Sequence, residues 1–136
     1  MKYSRIFIFL SLIFLFSFII YKMYISKQLY TSSSHISLSI EMADYILEFE
    51  NLPEKWDTYF EWYEKKYNYK IPNKIKTDII SNYHLIYTNK ISYVFLEENP
   101  QIILIQHNDK RIEKFLNYQI RKILKNNEEA NKNESK

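Results

Sequence analysis

Metal binding or acid–base catalysis in this chain would have to start from its three histidines, at positions 35, 84 and 107. His35 stands alone behind Ser32-Ser33-Ser34, whereas His84 and His107 fall in apolar, β-branched runs that read as strands. With turns centred near residues 89 and 99, His84 is level with Phe95 and Ile103, and His107 with Ile91. The two imidazoles then lie roughly 13 Å apart at ~3.3 Å per residue. Zinc bonds to histidine nitrogen at about 2.0–2.1 Å, so one ion does not bridge that gap. His107-Asn108-Asp109 sets an imidazole two residues from a carboxylate, as a base and its orienting acid would be. No nucleophile accompanies them, and Asn108 or Asp109 is the residue type that starts a helix. Glu97-Glu98 falls in a turn and reads as solvated.

Two absences narrow the chemistry further. The chain has no cysteine, which removes disulfides, thiol catalysis and cysteine-based zinc sites. It has no glycine either. Phosphate-cradling loops, dinucleotide turns and nucleophile elbows need glycine for positive φ or close backbone approach. The residues thus predict no catalytic, cofactor-binding or metal-binding site, and no cofactor.

Charge is the stronger signal. Between residues 41 and 64 stand eight acids (Glu41, Asp44, Glu48, Glu50, Glu54, Asp57, Glu61, Glu64) against Lys55 alone. Between residues 65 and 125 there are twelve bases against five acids. Either the two flanks neutralise each other inside the fold, or an acidic face steers a charged partner or a second copy. Trp62 stands out in the acidic stretch. At 100° per residue it falls about 240° round the helix from Trp56, off the apolar stripe, as an interface anchor would. Glu54, Asp57, Glu61 and Trp62 are the candidate partner-binding residues. The formal charge of +3 comes from lysines and arginine around the N-terminal apolar run, and no nucleic-acid partner is expected.

That run, Ile6 to Tyr21, has no charge and reads as a membrane-inserting signal-anchor. Extended from Tyr3 to Ile25 it is long enough to cross a bilayer, with Ile6, Phe9, Leu12, Phe16 and Ile20 spanning it. No small-residue cleavage site follows closely, which favours a retained single-pass anchor over a cleaved signal. Lys2 and Arg5 ahead of the run favour a cytoplasmic N-terminus with the domain outside.

The expected organisation is a transmembrane segment (1–27), a linker (28–34), a soluble α+β domain (35–125) and a disordered polar tail (126–136). Ile36 to Met42 alternates like a strand, but continuation to Phe49 favours a helix with Ile36, Ile40, Ala43 and Leu47 on one face. Pro53 and Glu54 start a second helix with a stripe of Trp56, Tyr59, Phe60, Tyr63 and Tyr67, ended by Asn68. A short helix covers Pro72 to Ser81. The runs 83–87, 91–96 and 101–106 predict a three-stranded antiparallel meander. A last helix turns Ile112, Phe115, Leu116, Ile120, Ile123 and Leu124 inward. The reading is a small membrane-anchored, non-enzymatic protein whose extracytoplasmic domain binds another protein, for example an immunity or exclusion protein. The alternatives are a structural or accessory subunit of a membrane or envelope assembly and, with least support, a small hydrolase or metal enzyme.

Overall fold

Helix occupies most of the chain, and each helix end is made without glycine. The computed structural model describes the backbone of residues 2–87 and 89–134, and the side chains of residues 11–25, 34–87 and 89–134. The elements are α1 (Lys2–Phe49), α2 (Trp56–Tyr67), α3 (Asn73–Asn82), β1 (Tyr83–Leu85), α4 (Tyr93–Glu98), β2 (Ile105–His107) and α5 (Lys110–Glu134). Among the described residues, two take the left-handed conformation usually given to glycine: Glu50 (φ 57°) after α1 and Asn68 (φ 49°) after α2. Glu50 is held there by its own N–H on the Ile46 carbonyl and by the Ile91 N–H on its carbonyl.

The chain divides into two units, residues 1–34 and 35–136. In the first, the backbone is helical from Lys2 onward, and the described side chains from Ser11 to Tyr24 are all exposed. They include Leu12, Phe14, Phe16, Phe18 and Ile20. Among the described residues, no helix is long and apolar enough to cross a membrane. The uncharged run Ile6 to Tyr21 is short for a span: at ~1.5 Å per residue it covers about 24 Å, against a hydrocarbon core of ~30 Å. This overturns the transmembrane, signal-anchor and single-pass readings, together with the topology that placed the N-terminus in the cytoplasm and the domain outside. Of the expected spanning residues, Leu12, Phe16 and Ile20 are exposed. The side chains of Ile6 and Phe9 lie outside the described residues.

In the second unit, residues 35–49 are helical, but the inward face is not the expected one. Leu38, Ser39, Met42, Ala43, Tyr45 and Ile46 are buried, while Ile36, Ile40 and Leu47 are exposed. Around this face gather Trp56, Tyr59 and Phe60 of α2, Leu96 of α4, Leu104 and Ile105, and Leu116, Ile120 and Leu124 of α5. Phe115, expected inward, is only partly buried. Polar Glu113 and Asn117 are buried instead.

The α+β expectation is corrected, because the fold is mostly helical and the three-stranded meander does not form. Only β1 and β2 pair among the described residues, antiparallel, with Tyr83 opposite His107, His84 opposite Gln106 and Leu85 opposite Ile105. The expected middle strand is α4. Ser92 caps it by accepting the Phe95 N–H on Oγ at 3.2 Å. At its other end Asn99 Nδ2 donates to the Phe95 carbonyl, and the Arg121 guanidinium donates to the carbonyls of Leu96, Asn99 and Ile102. Both ends are therefore satisfied by side chains, and these outweigh the strand preference of Tyr93, Val94 and Phe95. The tail expected to lack structure is helical in α5 as far as Glu134, with i,i+4 ion pairs Lys125–Glu129 and Glu128–Lys132 along it.

Candidate functional site

The acidic stretch divides by use. On α1, Glu41, Asp44 and Glu48 accept from donors on α2. Tyr59 Oη donates to Glu41 at 2.7 Å, Tyr67 Oη to Asp44 at 3.0 Å, and Trp62 Nε1 to Glu48 at 3.0 Å. Lys66 adds an ion pair to Glu48. Glu50 pairs with Lys90. Glu64 pairs with Lys76 and accepts the Ile71 N–H. Burial and the Glu41 carboxylate push the Tyr59 phenol far above its ordinary value. Desolvation also raises Glu41, although the Tyr59 and Tyr63 hydroxyls oppose it. Four of the eight acids, Glu41, Asp44, Glu48 and Glu64, thus tie α2 to α1 or α3, and Glu50 ties the turn after α1 to the loop before α4.

The other three are Glu54, Asp57 and Glu61, all exposed and engaged in no ion pair or side-chain hydrogen bond with the described residues. Glu54 lies in the turn before α2, Asp57 in its first turn, where the helix dipole favours a carboxylate, and Glu61 one turn further on. Asp57 and Glu61 stand one turn apart on α2 and share one outward side, whereas Glu54 is exposed in the turn that leads into the helix. Trp62 does not join them. Its ring sits edge-on to Tyr45 at 5.1 Å between centroids, with Lys66 Nζ 4.7 Å above it, so it leans on α1 and is partly buried.

The histidines are arranged differently from the sequence expectation. His35 is not isolated. It sits at the head of the buried stripe of α1, 5.9 Å from the His107 ring and 6.0 Å from the Tyr83 ring. Tyr83 Oη and His35 Nδ1 are 2.6 Å apart. His35 and His107 are each 8% exposed, and His35 Nε2 has no hydrogen-bond partner among the described residues. His107 Nδ1 accepts the Asp109 N–H at 2.8 Å, and its backbone N–H donates to Glu113 at 3.0 Å. His84 is exposed at the next position along β1. The spacing 35, 38/39, 42, 45/46 carried the signal, because extending the true buried face of α1 one turn back reaches His35.

Asp109 caps α5 as expected, accepting the Arg111 N–H at 2.8 Å. The Arg111 guanidinium and that N–H bring its carboxyl down to about 2. Glu97 and Glu98 are exposed on α4 rather than in a turn. No group of three or more histidine or carboxylate side chains able to hold a metal ion occurs among the described residues. An open groove of about 550 Å³ runs between α4 and α5, lined by Tyr93, Glu97, Tyr118, Arg121 and Lys125. Its Arg121 is already committed to three carbonyls. No family model, no curated protein and no solved structure matches this chain.

Proposed function

We propose that the unit from His35 to Lys136 is a non-enzymatic binding module whose acidic α2 face takes a basic segment of another protein. The observation that carries this reading is the division of the acids. Five are paired with other groups of the domain, and Glu54, Asp57 and Glu61 are left exposed at the entry and first turns of α2. A catalytic role is less well served, because the one pair of neighbouring imidazoles is shut in by Tyr83 with little surface for a substrate. The test compares capture of proteins from native cells by the full-length chain and by Glu54→Gln/Asp57→Asn/Glu61→Gln. Neutralising Glu97 and Glu98, which are exposed elsewhere, is the control. The reading expects a partner bound by the parent and the control but lost from the triple variant. A partner retained equally by all three overturns it.

A second reading, a subunit of a larger protein assembly, is favoured by the exposed apolar side chains between Leu12 and Tyr24. It expects Phe14→Ser/Phe16→Ser to reduce the mass of the native particle. An unchanged mass removes it.

A further inference from the structure

We infer that His35, Tyr83 and His107 form an acid-sensitive latch that holds the His35 end of the domain's first helix on the β1–β2 ribbon. The three side chains come from three separate elements: His35 from α1, Tyr83 from β1 and His107 from β2. All three are buried. The neutral cluster is self-consistent. Tyr83 and His35 share one hydrogen bond through Nδ1, and His107 Nδ1 takes the Asp109 N–H.

A proton added to this cluster has no good place. An imidazolium carries two N–H donors. Tyr83 Oη accepts at most one from His35, and Nε2 has no acceptor among the described residues. The ring 5.9 Å away, His107, supplies no negative charge to compensate the added proton. The anions nearby are already engaged. Asp109, at the β2–α5 junction, is bound to Arg111, and Glu113 of α5 to Lys110 and the His107 N–H. From α2 the ribbon receives Trp56, whose Nε1 donates to the Tyr83 carbonyl and offers no charge. His84 belongs to β1 but is exposed.

Burial, His107 and, in the opposite sense, Asp109 act on His35, with a net lowering of its pKa. The closed latch therefore binds fewer protons than the open one. Closure is fully favoured above the ordinary imidazole pKa of about 6.5 and weakens as pH falls below it. For one proton, the opening equilibrium constant rises up to tenfold per pH unit.

The experiment is amide hydrogen exchange on the full chain between about pH 7 and about pH 5, the range in which an unperturbed histidine charges. Rates are corrected for their intrinsic pH dependence. Protection at Leu38 and Ser39, in the turn of α1 that follows His35, should fall with acid in the parent chain and stay flat in His35→Phe. Equal loss of protection in His35→Phe, or none in the parent, overturns the latch. If His35→Phe does not fold, the parent chain decides through its own imidazole resonances. Protonation of His35 that coincides with the loss of protection supports the latch, and protonation without that loss overturns it.

Discussion

Replacing Asn117 by Leu should be among the most damaging changes of similar volume in the molecule. Asn117 lies on the inward face of α5 and uses both ends of its amide on the strand beside it. Oδ1 accepts the Leu104 N–H at 2.7 Å and the Ile105 N–H at 3.2 Å. Nδ2 donates to the Ile105 and Glu113 carbonyls, each at 2.8 Å. Leu104 and Ile105 are 0% exposed, so water does not replace the amide. The Glu113 carbonyl keeps its helical partner, which leaves the two N–H groups and the Ile105 carbonyl without one. A buried polar group left unpaired costs about 1–3 kcal/mol, so three of them together predict a loss of roughly 3–9 kcal/mol. Set against a total stability of about 5–15 kcal/mol, that is a large fraction. Denaturant unfolding of the full chain measures it as a lower midpoint at unchanged slope. Exchange of the Leu104 and Ile105 amides should accelerate with it. A loss below about 1 kcal/mol would show that α5 does not hold β2 through this amide, and the packing account of that edge would fail.

Three further outcomes follow from the same packing. Leu116→Ala should destabilise by about 2–5 kcal/mol, whereas Phe115→Ala, outside the core, should cost about 1 kcal/mol or less. Unfolding midpoints that rank the pair the other way would reverse the inward face of α5. Trp62→Ala should cost about 1–3 kcal/mol, less than Trp56→Ala, whose indole is buried and donates to the Tyr83 carbonyl at 2.8 Å. Equal losses in the two variants would place Trp62 fully in the core. At alkaline pH the folded chain keeps the Tyr83 phenol protonated, since burial pushes it up to about 12. The unfolded chain loses that proton near pH 10. Stability is therefore complete below about pH 10 and falls as pH rises from there, by about 1.4 kcal/mol per pH unit for one proton. Tyr83→Phe should make that decline shallower by one proton's share, the raised Tyr59 and Tyr67 phenols supplying the rest, and an equal decline in Tyr83→Phe assigns it wholly to other groups.

How much of this was legible in the sequence varies by element. The buried start of the α2 stripe, Trp56, Tyr59 and Phe60, and the helix end at Asn68 are legible from spacing, because periodicity and a left-handed Asn are local signals, whereas Tyr67, expected on the same stripe, is exposed. The start of α5 at Asp109 is local in the same way. A strand is expected at residues 91–96 because Tyr93, Val94 and Phe95 are strand formers; the Ser92 cap that opposes it is local, but the rest of what holds the helix is distant. Arg121, more than twenty residues on, supplies the donors for α4's last carbonyls. The inward face of α1 was misassigned because Ile36, Ile40 and Leu47 are as apolar as Leu38, Met42 and Ile46. Only the partners across the core choose between the two faces. The outward acids Glu54, Asp57 and Glu61 could be named from the sequence, but their separation from Trp62 could not. It depends on α1 packing beside α2 and taking the indole N–H on Glu48. His35 was hidden for the same reason, since its neighbours are 48 and 72 positions away in the chain.

The most direct test of the proposed binding face is the affinity of the captured partner for the full chain and for Glu54→Gln/Asp57→Asn/Glu61→Gln, measured at low and at high salt. If the three free carboxylates make the contact, the parent should bind roughly tenfold or more tightly at low salt, a difference of about 1.4 kcal/mol or more. The gap should close as salt is raised, with both proteins unfolding at the same denaturant midpoint. Equal affinity at low salt, or a gap that persists unchanged at high salt, would contradict the account.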